Sequence, residues 1–291
     1  MAYRIAAISD DLSTDFADAA GVAQAAGLDG LAVRNVGGIN VRDLSRDRLV
    51  DIRSIAGAHG LEISAVSSSL GRDSYLGDDS ALDNALLERM VDAAQLLGTP
   101  LVRVFATWLP GKDALPEWAE RPRAIPSGVA DRLAALARIA EAGDVTLMLE
   151  LEGASYAGTI AEAQSLLVEV GSPALALCWD VCNGWWSGEN PWDEGWPAAR
   201  AMPIVDVQVK DVALMPDGRP AFDQVVLGQG DLPYDRIISA LLADGYEGWF
   251  TAERVYHPRK PENEPRLRAD LLADIANLKT LLTVAADAGA P

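Results

Sequence analysis

The chain has 291 residues, 49% of them hydrophobic, and a net charge of −19 from 43 acidic against 24 basic residues. That length is ample for one large core and exceeds that of an ordinary eight-stranded α/β barrel. The charge repels phosphate backbones and no Lys/Arg run offsets it locally, so nucleic acid is excluded as a partner.

No low-complexity or Pro/Gly/Ser-rich linker divides the sequence, which is read as a single domain over 1–291. The first apolar run, Tyr3–Ile8, turns polar at Ser9-Asp10-Asp11. It is too short for a signal peptide, and no stretch reaches transmembrane length, so a cytoplasmic protein without membrane association is expected. Cys178 and Cys182 are the only cysteines. One falls mid-strand and the other in the next turn, a poor geometry for a bridge, which favours reduced structural thiols over a redox pair or metal thiolates.

Tyr3–Ile8 is the first predicted strand, followed by a helix over about Thr14–Ala26. Gly30–Arg34 and Leu61–Ser68 are the next strands, with a helix over about Leu44–His59 between them. Helix Leu82–Leu97 leads to strand Leu101–Ala106, then a long Trp/Pro-rich connection runs to Ser127. Serine there is expected to cap a helix that runs to Ala142. Strand Val145–Glu150, helix Thr159–Val170 and strand Leu175–Asp180 follow. A short helix over Pro191–Ala201, strand Ile204–Val209, helix Leu232–Ala243, strand Gly248–Glu253 and helix Leu267–Ala286 complete the chain. Eight strands alternating with helices predict a closed (β/α)8 TIM barrel. An open doubly wound sheet would bring a glycine-rich phosphate loop after the first strand, and Ser9-Asp10-Asp11-Leu12 is not one.

In such barrels chemistry sits at the C-terminal strand ends. The stretch Val145-Thr146-Leu147-Met148-Leu149-Glu150 is apolar throughout and then ends in a carboxylate, which is costly unless compensated. Asp180, Gln208 and Glu253 end three later strands in the same way. Four oxygen-bearing side chains at four strand ends are what a divalent-metal site needs. Strand alternation puts Glu150 on one face with Met148, Asp180 with Cys178, Gln208 with Asp206 and Glu253 with Thr251. If the terminal groups point inward, Leu147, Leu149, Leu175 and Leu177 point at the helices. The competing reading is structural ion pairing with Arg34, Arg72 or Arg103, each at or just after a strand end. Those arginines either bind an anionic or hydroxyl-rich substrate or neutralise the acids at the mouth.

The three longest loops after strands are Thr107–Pro126, Asp211–Asp231 and Arg254–Pro265. Trp108, Trp118, Trp185, Trp186 and Trp192 lie in loops or at their edges. They either pack over the mouth or against a partner subunit, in a homo-oligomer, or line a ligand pocket. Glu152, two residues past Glu150 on the same face, is either an extra acid/base or a solvated loop acid. His257 either reaches the site from its loop or is a surface residue before Pro258.

Val145–Glu150, Leu175–Asn183, Val205–Asp211 and Gly228–Glu253 together resemble the sugar phosphate isomerase/epimerase family of xylose-isomerase-like barrels. Leu227-Gly228-Gln229-Gly230-Asp231, running to Gly245-Tyr246-Glu247-Gly248-Trp249-Phe250-Thr251-Ala252-Glu253, is similar to the family's signature before its final ligand. Val102-Arg103-Val104-Phe105 and Ser68-Ser69-Leu70-Gly71-Arg72 match weaker family patterns. The resemblance implies a metal held by Glu150, Asp180, residue 208 and Glu253, a substrate contact at 183, and Lys210 touching substrate or pairing with an acid. The family usually carries histidine at 208 and 183, and this chain has Gln208 and Asn183. Three carboxylates and an amide oxygen form a hard donor set that suits Mn²⁺ or Mg²⁺ better than Zn²⁺; the same substitutions also fit a site that has lost its metal and activity.

The chemistry implied is isomerisation or epimerisation of a sugar, keto-sugar or cyclitol through an enediolate, with Glu150 and Glu253 moving protons from opposite sides of the mouth. A lyase reading uses the same enolate to expel water or an aglycone. A third reading is a non-catalytic sugar-binding subunit. Relatives that are DNA-repair endonucleases need many histidines, and this chain has two.

Overall fold

Strands that are apolar on both faces need cover on both faces, and here they obtain it by closing into a barrel ringed with helices. The structure is a computed structural model that describes residues 3–72, 74–111, 121, 124–254 and 264–288. The eight barrel strands are β1 (Arg4–Ile8), β2 (Gly30–Val33), β3 (Glu62–Leu70), β4 (Leu101–Val104), β5 (Thr146–Glu150), β6 (Leu175–Asp180), β7 (Ile204–Val209) and β8 (Trp249–Ala252). Each pairs in parallel with its sequence neighbours, and β1 closes on β8. The chain is a (β/α)8 TIM barrel.

The period of two separates the faces as expected. Leu147, Leu149, Leu175 and Leu177 join the large core between sheet and helices. Met148 and Cys178 point inward, where Ala6, Ile8, Ala32 and Ala65 fill the barrel. Both cysteines are free and buried, and burial pushes both thiols far up, so they stay protonated.

The covering helices are α1 (Phe16–Ala25), α2 (Arg46–Ala58), α3 (Ser80–Leu97), α4 (Ser127–Ala142), α5 (Ile160–Val170), α6 (Val181–Trp186), α7 (Tyr234–Ala243) and α8 (Glu264–Ala288). Asp15, Ser45 and Asp79 cap α1, α2 and α3, and Thr159 with Glu162 forms a capping box on α5. Ser127, expected as a cap, is instead the first residue of α4; Pro126 stands at the cap position and makes no side-chain bond.

Two further departures lie near the mouth. The segment after β6, read from sequence as a loop, contains α6, because the Asp180 carboxylate accepts from the Asn183 N–H (2.9 Å) and starts a helix at once. The helix expected over Pro191–Ala201 is broken into a π-turn at Pro191–Gly195 and a short helix at Trp196–Ala199. Asn190 fixes the first piece by accepting from Trp192 N and Asp193 N, and Pro197 has no N–H to continue a regular ladder.

The loop after β7 carries an antiparallel ribbon, Asp211–Leu214 with Pro220–Val225. Arg254 donates to the Val225 carbonyl (2.8 Å), and the Trp186 indole N–H donates to Ala221 (2.9 Å), so the ribbon is held from two sides. On the outer side, Trp179 stacks on Trp196 (6.1 Å) and Trp196 on Trp192 (6.4 Å), with Arg236 over Trp192 (4.2 Å). Among the described residues no helix is long and apolar enough to cross a membrane.

Candidate active site

Strand register decides which side chains meet. Glu150 is the partner of Cys178, Asp180 of Gln208, and Gln208 of Thr251. Inward-pointing positions on four consecutive strands therefore climb together toward the C-terminal mouth. One carboxylate oxygen from each of Glu150, Asp180 and Glu253 lies within 4.8 Å of the others, and all three residues are buried. Glu150 and Glu253 both contribute to this centre.

Gln208 is fully buried in the same cluster. Its Nε2 donates to Glu150 Oε2 (3.1 Å), which turns Oε1 away from that carboxylate, and Oε1 has no hydrogen-bond partner among the described residues. A buried amide oxygen without a donor costs about 1–3 kcal/mol. A hard cation is a partner that such an oxygen accepts, together with carboxylate oxygens. The residues therefore fit a divalent metal.

Ion pairing is also present. Arg103 binds Glu150 Oε2 (2.9 Å) while its Nε holds the Ser68 carbonyl (3.0 Å). Arg34 reaches Glu253 Oε1 (3.1 Å), Asp10 (3.1 Å) and Asp11. Lys210 Nζ lies 2.5 Å from Asp180 and 2.7 Å from Glu253. Arg34 and Arg103 thus neutralise acids at the mouth, whereas Arg72 is exposed, with its guanidinium 5.6 Å over Trp108, outside the acid cluster. Among these eight side chains, the carboxylates of Asp10, Asp11, Glu150, Asp180 and Glu253 outnumber the three cations by two negative charges.

Protonation follows from these contacts. Burial, with Glu150 and Glu253 adding to it, pushes Asp180 upward against the pull of Lys210. Burial acts the same way on Glu253, but Lys210, Arg34 and Arg103 outweigh it and hold Glu253 low. One layer deeper, burial raises Asp206 to about 7, although Thr251 donates to it (2.7 Å).

The other residues singled out in the sequence divide into those near this cluster and those apart from it. Asn183 is buried on α6 and its Nδ2 donates to the Leu151 carbonyl (2.7 Å). Glu152 is half-buried in a turn, where its side chain accepts from Ala154 N (3.3 Å). Trp108 is buried, with its backbone bridged to Tyr75 and Ser155 and its ring edge-on to Phe105. Trp186 lies over Lys210, 5.8 Å from ring centre to Nζ. His257 and Trp118 lie outside the described residues. Asp10 and Asp11 were not recognised from the sequence as site residues. They lie just beyond β1, in a short helix at Ser9–Leu12, and Arg34 gathers both.

Barrel, strand-end acids and signature loop define a class, and comparison with known proteins agrees. The chain belongs to the xylose isomerase-like TIM barrel family, whose model matches residues 20–275. Among solved structures it is similar to the IOLI protein with a bound zinc atom (TM-score 0.74, 15% identity, 96% of this chain and 98% of that one). It is also similar to L-ribulose 3-epimerase (0.73, 20%, 99% and 96%). A third is the probable 3-DHS dehydratase AsbF of Bacillus anthracis (0.72, 19%, 96% and 99%). At these identities the likeness shows the fold alone. A comparison of the sequence with curated proteins found no match.

Proposed function

We propose that this protein is a divalent-metal-dependent isomerase or epimerase of a keto-sugar or cyclitol. The observation that carries the reading is the buried Gln208, bonded through Nε2 to one of three convergent carboxylates, whose Oε1 has no hydrogen-bond partner among the described residues. When bound, a divalent cation supplies polarisation of a hydroxy-ketone and stabilisation of the charge that develops on its oxygens. The donor set of three carboxylates and one amide oxygen favours Mn²⁺ or Mg²⁺ over Zn²⁺.

The chain's own residues do the rest. Glu253 is the proton-accepting candidate; Lys210 and Arg34 keep it ionised but lower its basicity, so it accepts a proton from carbon only as one of them moves away. Glu150, paired with Arg103, serves the other side of the same carbon. Arg103 and Gln208 fix the orientation of Glu150, and the ribbon held by Trp186 and Arg254 limits solvent access beside Lys210.

The dehydratase among the similar structures supports a second reading, in which the same enolate expels a leaving group. The test is to load purified protein with Mn²⁺ or Mg²⁺, add a panel of keto-sugars and cyclitols in D₂O, and follow the products by NMR and mass. An isomerase incorporates deuterium at the α-carbon with the substrate skeleton conserved. Loss of water or an aglycone selects the lyase instead, and binding without either event leaves a sugar-binding subunit.

A further inference from the structure

Among the described residues Lys210 is the one lysine in the acid cluster, and its position is not that of a flexible surface ammonium. Its backbone is gripped by the buried Tyr234 hydroxyl, which accepts from Lys210 N–H (3.1 Å) and donates to Lys210 C=O (2.8 Å). The side chain is buried, and Nζ sits between Asp180 Oδ2 (2.5 Å) and Glu253 Oε2 (2.7 Å). These are two of the three carboxylates whose oxygens converge on the candidate cation position. The second oxygen of each is already engaged: Asp180 Oδ1 accepts from Asn183 N (2.9 Å), and Glu253 Oε1 accepts from Arg34 (3.1 Å). Lys210 and a divalent cation therefore compete for the same pair of oxygens.

We propose that Lys210 is a built-in counter-ion, bridging Asp180 and Glu253 in the metal-free protein and giving up at least one of them when a divalent cation enters. This rests on the metal reading of the site. Two consequences distinguish it from a purely structural salt bridge. Removing the ammonium makes metal binding tighter, because the competitor is gone. It also lowers the stability of the metal-free protein, because two buried carboxylates lose their partner.

The experiment measures Mn²⁺ affinity by calorimetry and the thermal midpoint of metal-free protein for wild type, Lys210→Met and Lys210→Arg. The expected result is a Kd at least about tenfold lower in Lys210→Met, with a lower metal-free midpoint, and a return toward wild type in Lys210→Arg. A readout that needs no variant uses ¹⁵N-labelled lysine, since the chain has only four lysines: Lys112, Lys210, Lys260 and Lys279. Saturation with Mg²⁺ should shift the buried Nζ resonance. Metal binding that leaves this resonance and the Lys210→Met affinity unchanged overturns the counter-ion role while the metal site stands. No Mn²⁺ or Mg²⁺ binding by any form overturns the metal reading, and the counter-ion role with it.

Discussion

A Cβ placed on Gly230 would lie 2.2 Å from the Oδ1 atom of Asp211. The closeness is forced by what Asp211 does: its carboxylate accepts from the backbone N–H groups of Gly228 (2.8 Å), Gly230 (3.0 Å) and Leu232 (3.4 Å). One side chain thereby gathers the return of the ribbon loop, immediately after Lys210. Gly230→Ala should disrupt this clamp. Asp211→Asn should cost about 1–3 kcal/mol, since an amide cannot accept on both sides. Equilibrium unfolding in urea checks both, with the Ala variant expected to lose more than a substitution at an exposed helix position such as Asp51→Asn.

Arg254 and Asp274 form a two-pronged pair (2.7 and 2.8 Å) in which both side chains are 2% exposed. The same arginine holds the ribbon, so the pair ties α8 to the mouth. Arg254→Met alone should destabilise by about 3–5 kcal/mol, because it strands a buried carboxylate. Combining it with Asp274→Leu should recover much of that loss in a double-mutant cycle of unfolding free energies.

Glu189 is 7% exposed and accepts from Ile160 N (2.9 Å) and Ala161 N (3.3 Å) at the start of α5. Burial raises it from its ordinary 4.5 to about 6, against those two bonds. The folded protein therefore holds this proton more tightly than the unfolded chain, and stability falls as pH rises from about 4.5 to 6. The full effect is about 2 kcal/mol. Glu189→Gln keeps one acceptor oxygen for the two N–H groups, so it should lower stability by a pH-independent amount while removing that slope, as measured by the wild-type minus variant difference across pH 4 to 7.

A divalent cation at a hundred times its dissociation constant should raise the unfolding free energy by about 2.7 kcal/mol, and chelator should reverse the gain. Gln208→Ala should weaken Mn²⁺ binding by about tenfold or more without a comparable loss of stability in the metal-free protein. Isothermal calorimetry on the two proteins checks it. Stoichiometric zinc in protein purified without chelator would contradict the hard-donor reading.

Much of this architecture was visible in the chain because strand period and strand end carry different information. Apolar runs of five or six residues placed β5, β6 and β7 within a residue of where they lie, and parity put Met148 and Cys178 on the face of the terminal acids, which is the inside of the barrel. The acids at 150, 180 and 253 stood out because an apolar strand has no local reason to end in charge. What was not legible depends on partners distant in sequence. Arg34 meets Glu253 across 219 positions, and nothing local chooses between that pair and a substrate contact. Lys210 continues the inward face of Asp206 and Gln208, a signal the parity rule contains. Its double engagement with Asp180 and Glu253 is nevertheless set by the closure of the barrel. Helix α6 was missed for the opposite reason: Asp180, read only as a terminal acid, is also its cap.

Trp186 sits with its ring centre 5.8 Å from the Lys210 ammonium and its N–H anchored to Ala221, so indole and charge are held in fixed register. The excited state of indole redistributes electrons across the ring and is sensitive to a nearby positive charge. Motion of that ammonium, or arrival of another cation beside it, is therefore written into the ultraviolet emission of the native protein, and occupancy of the barrel mouth can be followed optically with no label attached.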